Sequence, residues 1–320
     1  MAQNNKIATV FGGTGFLGTQ VVRELAALGY TVKVATRIPE SAYFLKPCGV
    51  VGQVVPFQCD YGDTKNVCKA VKNADVVVNC IGVLYEKGKK STFKRAHVDI
   101  PAMIAKACAD EGASRFVHVS ALSCDKGTSK YAKSKLEGEQ AIHANYPKAT
   151  ILRPSVMFGA GDNFFNMFAE LARYSPFLPL IGGGKTRFQP VYVGDVADAV
   201  IKVSQELSDG FQGKVYQLGG VDVVDFKDIY AMISQYTGRE RRLVKLPFCV
   251  AKFEAMFLAL LPKPLLTRDQ VESLKTDNVV EDGALNFKNL GIVPVSMASI
   301  LPSYLERYRS GGVFSKEKAA

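Results

Sequence analysis

Only three histidines and seven cysteines occur in the 320 residues, and neither set is arranged for metal binding. The histidines are widely separated, and no two cysteines have the spacing of a metal-binding or redox-active CxxC pair. An odd, scattered set of cysteines predicts a reducing compartment. We therefore expect neither a metal centre nor a disulfide framework.

Long apolar runs are also missing. The best candidate for a membrane span, residues 246–266, contains Lys252, Glu254 and three prolines. These residues exclude a transmembrane helix but allow an amphipathic segment lying on a membrane or a partner. Because the first predicted strand begins near Lys6, we expect no signal or transit peptide, and therefore a bacterial cytoplasm. A processed organelle protein is the alternative.

The net charge of +10, with a pI near 9.1, bears on partners and not on the fold. Nucleic acid, an anionic membrane face, an acidic protein or a phosphorylated cofactor could each use it. The positive charges are scattered along the chain. The densest stretch is either a solvated loop or a docking surface, and it contains Lys87, Lys89, Lys90, Lys94 and Arg95.

Strand and helix patterns alternate through the first half of the chain. Apolar runs such as KIATVF, DVVVNCIG and ATILRP are typical of buried strands. With helices between them, they predict an α/β fold, a doubly wound parallel Rossmann sheet. After Pro154 the pattern loosens into a smaller, mainly helical C-terminal region. We expect a core of residues 1–157 completed by about 188–220, and a substrate-side or docking region of 158–187 and 221–320.

A glycine array follows the first predicted strand and opens the first helix. In VFGGTGFLG, Gly12 permits a tight turn, Gly15 a close approach of the backbone, and Gly18 close packing of helix on sheet. The helix N-terminus offers backbone N–H groups to a pyrophosphate. This context predicts nucleotide binding; the alternative is a vestigial loop in a fold that has lost its ligand.

The end of the second predicted strand bears on the choice of nucleotide. It reads Ala35, Thr36, Arg37, without the acid that accepts hydrogen bonds from the ribose of NAD. An arginine can instead bind a 2′-phosphate, so we predict NADP(H); an ordinary exposed arginine is the alternative. Asp60, after the third strand, is either an acceptor for the adenine amine or a cap or turn residue. Ile81 lies where the fourth strand ends, at the ligand-binding edge.

Tyr131 and Lys135 form a YxxxK pair on the helix predicted from about Lys130 to Ala144. The spacing places both on one helix face, one turn apart. A neighbouring ammonium can lower the pKa of a tyrosine and make it an acid or base for a carbonyl or alcohol. Ser120 is a candidate to orient the substrate oxygen, with Ser123 as a second, although a structural cap explains either serine as well.

Four motifs, GGTGFLG, YAKSK, LRPSVMFG and QPVYVGDVADAV, resemble those of the extended and atypical short-chain dehydrogenase/reductases over residues 6–220. With the distal LLTRDQVESLKTDN, which lies outside the Rossmann core, the chain looks like the NADPH-binding accessory subunits of respiratory complex I. This resemblance implies a tightly held NADPH that is not turned over. It also implies cofactor contacts at Gly12, Thr14, Gly15, Phe16, Leu17, Gly18, Arg37, Asp60, Ile81, Tyr131, Lys135 and Pro154.

One position departs from the reductase pattern. Extended reductases usually place a catalytic Ser or Thr two residues after the first serine of the fifth strand's end, and that position is Leu122 here. The resemblance therefore implies an incomplete or displaced catalytic set, in which Tyr131 and Lys135 could simply bind the nicotinamide ribose.

Three functions fit these residues. We favour a structural subunit of complex I, bound to other subunits near the junction of the peripheral and membrane arms. It would touch anionic lipid through basic and amphipathic C-terminal surfaces, without nucleic acid, on the cytoplasmic face of a bacterial inner membrane or the mitochondrial matrix side. The alternatives are a free-standing NADPH-dependent reductase or epimerase acting on a small lipidic or nucleotide-sugar substrate, and a regulator that senses NADPH. A wet pocket above the nicotinamide would favour an enzyme. A pocket plugged by side chains, together with an exposed apolar C-terminal face, would favour a subunit.

Overall fold

The structure, a computed structural model, describes residues 6–89, 91–205, 210–259, 261 and 264–311. Within these ranges the strands are β1 (Ile7–Phe11), β2 (Thr31–Thr36), β3 (Val54–Gln58), β4 (Val76–Asn79), β5 (Arg115–Val119), β6 (Thr150–Pro154), β7 (Met157–Phe158), β8 (Phe177–Ile181), β9 (Val191–Tyr192), β10 (Val215–Leu218) and β11 (Arg242–Leu246).

The α-helices are α1 (Phe16–Ala27), α2 (Thr64–Val71), α3 (Ile100–Asp110), α4 (Lys130–Asn145), α5 (Phe165–Tyr174), α6 (Val193–Gln205), α7 (Phe226–Thr237), α8 (Phe248–Leu258), α9 (Arg268–Ser273), α10 (Phe287–Leu290) and α11 (Met297–Leu305). A π-helix, Lys94–Asp99, leads directly into α3. Short 3-10 helices occupy Pro39–Cys48, Gly182–Gly184 and Glu306–Tyr308.

Seven strands form one parallel sheet in the order β10-β6-β5-β4-β1-β2-β3. Every residue of β4, β5 and β6 is buried, as expected for central strands covered on both faces. Helices α1 and α6 pack on one face, and α2, α3 and α4 on the other. The chain reverses its direction of sheet growth between β1 and β4, which opens the crevice where ligands of doubly wound sheets bind.

Each edge strand of the sheet has a feature that limits pairing with a further strand. At one edge, β3 contains Pro56, which lies opposite Val34 of β2 and has no N–H to donate. At the other edge, the backbone N–H of Gln217 in β10 donates to the carbonyl of Leu285 at 2.8 Å. A loop of the C-terminal region therefore covers β10.

An aromatic cluster forms the core of the C-terminal region. Phe168 of α5 packs with Phe226 and Tyr230 of α7, and the centres of these three rings are 5.3 to 6.0 Å apart. Strands β8 and β11 form a separate parallel pair, and β7 and β9 another. Helix α8 packs on α9 through a small apolar cluster that includes Ala251, Ala255 and Val271.

The predicted fold class is confirmed: the central sheet is parallel, helices flank it, and the C-terminal region is largely helical. The pairing of β8 with β11 was not predicted. The division of the chain into domains remains a prediction.

Among the described residues, no helix is both long enough and apolar enough to cross a membrane. Lys90 of the basic stretch lies outside the described residues.

Candidate nucleotide site

Two of the three glycines in the predicted array, Gly12 in the β1–α1 loop and Gly18 in α1, have no room for a side chain. Gly12 has a φ of +74°, and a Cβ there would lie 2.9 Å from the carbonyl carbon of Cys80 at the end of β4. A Cβ on Gly18 would lie 2.2 Å from the carbonyl oxygen of Gly12. Since these neighbours are backbone atoms, larger residues would displace the loop itself. The tight turn and the close helix–sheet packing that the sequence predicts are both present.

The N-terminus of α1 is built to receive an anion. Gly15 is the N-cap residue, and among the described residues no side chain caps the helix. The first turn of α1, which starts with Phe16 and Leu17, contains no acidic residue. The first N–H groups of a helix have no partner within the helix, and the helix dipole favours negative charge there. A pyrophosphate therefore fits this position, beside the exposed Thr14.

The guanidinium of Arg37 makes a cation–π contact with an aromatic ring, here called the platform. Its guanidinium carbon lies 5.8 Å from the ring centre of Tyr61, whose hydroxyl donates to the Ala35 carbonyl at 2.8 Å. Burial raises the pKa of Tyr61 to about 12, so the ring remains neutral. The exposed Arg37 is thus oriented by a cation–π contact at the end of β2, the position expected for a 2′-phosphate. Sequence reasoning missed the role of Tyr61.

Asp60 has the turn role that was one of its two predicted alternatives. Its Oδ1 accepts a hydrogen bond from the Gly62 backbone at 2.9 Å, and its side chain is exposed. The N-cap of α2 is instead Asp63, which accepts from Lys65. A second oxygen of Asp60 remains for a ligand, so a contact to adenine stays a prediction.

The end of β4 is fixed by a side-chain bridge across the sheet. The amide of Asn79 donates to Nδ1 of His118 at 3.1 Å, and its oxygen accepts from the Ile81 backbone at 3.0 Å. This turn brings Ile81 and Gly82 toward α4, where a Cβ on Gly82 would lie 3.3 Å from Nζ of Lys135. Ile81 is therefore in the crevice, between the glycine loop and the YxxxK helix.

Lys135 is buried beneath this turn. Among the described residues its Nζ donates one hydrogen bond, to the Val119 carbonyl at 3.3 Å, and an ammonium has three hydrogens to donate. Burial lowers the pKa of Lys135 to about 8. Its Nζ is 6.0 Å from the ring centre of Tyr131, so the predicted pair is together. Burial raises the pKa of Tyr131, which opposes its action as an acid or base near neutral pH.

A structural histidine packs against Tyr131. The ring of His97 lies edge-on to that of Tyr131 at 5.3 Å and stacks on Phe93 at 5.4 Å. Its Nε2 accepts from the Val83 backbone at 3.1 Å, and its Nδ1 is 2.9 Å from the Ser134 hydroxyl. Burial lowers the pKa of His97 to about 3, so this histidine is neutral, and both of its ring nitrogens have hydrogen-bond partners.

The two candidate serines, Ser120 and Ser123, contact neighbouring groups of the protein. The Oγ of Ser120 contacts the thiol of Cys124 at 4.0 Å, and Ser123 donates to the Asp277 carbonyl at 2.9 Å. Between them, the side chain of Leu122 is buried. The arrangement around these serines is structural, and a catalytic part for Ser120 stays a prediction.

A buried ion pair lies next to the segment that contains Ser120 and Ser123. Arg153 donates to both carboxylate oxygens of Glu139, at 2.7 and 2.9 Å, and to Asp125 at 2.5 Å. The same carboxylate accepts from the Cys124 thiol at 3.3 Å. This network joins α4 to β6, where the buried Pro154 accepts a hydrogen bond from Leu122 at 2.9 Å.

A cavity of about 360 Å³ lies beyond the end of β4. It is lined by Val83, Leu84, Tyr85, Lys87, Ser91 and Asn163. The C-terminal region also exposes apolar side chains, among them Phe253 and Phe257 of α8, at 60% and 56%. The exposed apolar side chains match one part of the expectation for a subunit, and whether the cavity lies above the nicotinamide stays a prediction.

Comparison with known proteins identifies the family. Residues 8–219 match the NAD dependent epimerase/dehydratase family. In Arabidopsis thaliana, the mitochondrial NADH dehydrogenase (ubiquinone) 1 alpha subcomplex subunit 9 is 37% identical over 319 residues, which cover 96% of this chain and 79% of that protein. The mouse protein of the same name is 33% identical, with 97% and 82% covered.

The fold has solved counterparts. An NADPH-dependent quinone oxidoreductase from Escherichia coli, in complex with NADPH, has a TM-score of 0.73 and 20% identity, and the match covers 93% of this chain and 99% of that one. At this identity the likeness shows the fold alone. The family and the geometry of the crevice together support a nicotinamide dinucleotide as the ligand. The chain belongs to the NAD dependent epimerase/dehydratase family, and within it to the branch that includes the alpha subcomplex subunit 9 of mitochondrial NADH dehydrogenase.

Proposed function

We propose that this chain is an accessory subunit of respiratory complex I that holds NADPH without turning it over. The observation that carries the proposal is similarity to complex I subunits over nearly the whole chain, including the part that follows the Rossmann core. The nucleotide would act as a structural ligand. A ligand present at a hundred times its Kd stabilises the folded state by about 2.7 kcal/mol.

Residues along the crevice support this proposal. The α1 N-terminus would bind the pyrophosphate, and Arg37 would bind the 2′-phosphate that distinguishes NADPH from NADH. The ammonium of Lys135 and the hydroxyl of Tyr131 would hydrogen-bond the nicotinamide ribose. The further contacts that we assign to the nucleotide are Gly12, Thr14, Gly15, Phe16, Leu17, Gly18, Asp60, Ile81 and Pro154. NADPH supplies a hydride when an acceptor is present.

Two features of the site support retention without turnover. Leu122 is buried where extended reductases carry a catalytic hydroxyl. Burial also raises the pKa of Tyr131, which makes its proton harder to exchange at neutral pH. Tyr131 and Lys135 are then binding residues.

The C-terminal region supplies a surface for assembly. Helix α8 and β11 expose Phe253, Phe257, Val250 and Leu243, with Lys245 among the exposed residues beside them. An exposed apolar patch of this kind marks an interaction site. We assign it to other complex I subunits near the junction of the peripheral and membrane arms, with anionic lipid at the basic side chains. The protein would lie on the cytoplasmic face of a bacterial inner membrane, or on the matrix side of a mitochondrial one.

The decisive experiment is purification of the tagged protein from its own cells in mild detergent. Co-purifying chains are identified by mass spectrometry, and the released nucleotide by chromatography. Complex I subunits together with about one NADPH per chain are the expected result. NADPH without any partner would refute the subunit assignment.

A free-standing NADPH-dependent reductase or epimerase is the second candidate. The cavity beside Val83 and the close approach of Lys135 to Tyr131 favour it. In that case Tyr131 would protonate the carbonyl oxygen of a small lipidic or nucleotide-sugar substrate as hydride is delivered to its carbon. Oxidation of bound NADPH by such a substrate, lost in Tyr131→Phe, would establish this activity.

A further inference from the structure

Residues 267–281, here called the strap, run from the start of α9 toward the edge of the sheet and contact the loop that leads into α4. Besides the ion pair of Lys126 with Glu281 at 2.8 Å, three side-chain hydrogen bonds join this loop to the strap. The Asn278 amide donates to the Leu122 carbonyl at 3.1 Å, Ser123 donates to the Asp277 carbonyl at 2.9 Å, and Thr128 donates to Glu272 at 2.9 Å. The strap therefore contacts the loop before α4 from Leu122 to Thr128.

The strap also contacts the N-terminus of α4. The two carboxylate oxygens of Asp269 accept from the backbone N–H groups of Lys130 and Tyr131, at 2.7 and 3.0 Å. Ser129 of the loop itself accepts from the next one, Ala132. A carboxylate at this end of a helix satisfies donors that have no partner in the helix and interacts favourably with its dipole. Asp269 thus fixes the helix that carries Tyr131 and, one turn later, Lys135.

The other side of the strap is attached to α8. Glu272 accepts from Lys252 of α8 at 2.5 Å and from Lys275 at 3.0 Å. Val271 is fully buried against Ala251 and Ala255 of the same helix. Hydrogen bonds from the two lysines and from Thr128 lower the pKa of Glu272 to about 2, so the carboxylate is charged at neutral pH. Helix α8 is therefore joined to the strap by an ion pair and by apolar packing.

We propose that the strap couples the nucleotide site to the exposed face of α8, so that bound nucleotide orders this face and docking of the face slows release of the nucleotide. The proposal rests on the proposed binding of NADPH. A dinucleotide held by Lys135 and Tyr131 restrains α4, and Asp269 transmits that restraint to the strap and α8. Because such coupling is reciprocal, a partner that binds α8 strengthens nucleotide binding by the same factor.

Hydrogen exchange of the full chain, with and without NADPH, tests this coupling. In the wild type we expect NADPH to slow exchange in the glycine loop, residues 12–18, and also in α8, the latter by about fivefold or more. In Asp269→Ala the protection of the glycine loop remains and that of α8 is lost. Asp282→Ala, a matched change of an exposed residue just past the strap, keeps both.

The outcomes separate the two proposals. Protection of residues 12–18 without any change in α8 of the wild type overturns the coupling and leaves nucleotide binding intact. Absence of protection at residues 12–18 overturns nucleotide binding and, with it, the coupling. If Asp269→Ala does not fold, Lys252→Met cuts the ion pair to α8 and leaves the bonds to α4 in place. Unchanged protection of α8 in that variant contradicts a path through Glu272.

Discussion

Reversing the charge of Arg37 should weaken the binding of NADPH but not the binding of NADH. The guanidinium is exposed, stands over the Tyr61 ring at 5.8 Å, and follows a strand end that has no acid. A charge-assisted hydrogen bond contributes about 1.5–3 kcal/mol. At about 1.4 kcal/mol per factor of ten, Arg37→Glu should weaken NADPH binding by about 10- to 150-fold or more. NADH, which lacks the 2′-phosphate, should bind as well as before or better, because a carboxylate can accept from its ribose hydroxyls.

Titration calorimetry with both nucleotides measures this difference. Arg23→Glu, the same charge reversal on the exposed side of α1, is the control and should leave both affinities unchanged. Tyr61→Leu removes the platform and keeps the charge, and an exposed cation–π contact of about 0.5–1 kcal/mol predicts a loss of only about two- to fivefold for NADPH. Equal weakening of NADPH and NADH by Arg37→Glu would show that Arg37 supports the loop and does not read the phosphate.

Three further results are expected. Gly18→Ala places a Cβ 2.2 Å from the Gly12 carbonyl oxygen, so nucleotide binding should be lost in calorimetry although the chain stays folded by circular dichroism. Burial lowers the pKa of Lys135 from 10.5 to about 8. Between these two pH values the Lys135 side chain is therefore protonated in the unfolded chain and neutral in the folded one. Below pH 8, Lys135→Met should therefore resist urea better than the nucleotide-free wild type, and this advantage should disappear as the pH rises to 10.5. An advantage in unfolding free energy that stays constant up to pH 10.5 would contradict the lowered pKa of Lys135. Arg153→Met leaves the Glu139 carboxylate buried without its partner, which costs about 3–5 kcal/mol of unfolding free energy, and adding Glu139→Leu should recover much of it.

The features that could be predicted from the sequence are local ones. The glycine spacing, the buried Val-rich strands and the i, i+4 relation of Tyr131 to Lys135 each depend on residues close together in the chain. Helix α4 was predicted from about Lys130 to Ala144 and is observed from Lys130 to Asn145. The run ATILRP was likewise expected to be a strand and contains β6, Thr150–Pro154. Periodicity decides such elements because each is buried on a regular face.

Contacts between distant segments were not predictable in this way. Asp269 caps α4 across 138 residues of sequence, and only the resemblance drew attention to the segment that contains it. Strand β8 pairs with β11 in a register that no turn between them sets. The platform under Arg37 depends on how Tyr61 is turned, which follows from its hydrogen bond to Ala35 on another strand.

The treatment of the sheet edges limits how this chain can join a larger assembly. A neighbouring protein often attaches by adding one of its strands to an open edge. Here Pro56 removes a donor from β3, and the chain's own Leu285 already takes the donor that β10 offers at Gln217. Continuation of the sheet into a partner is thereby disfavoured on both sides. Association has to rely on side chains, and so on the shape and polarity of helix surfaces, which can change between partners without altering the sheet that holds the nucleotide.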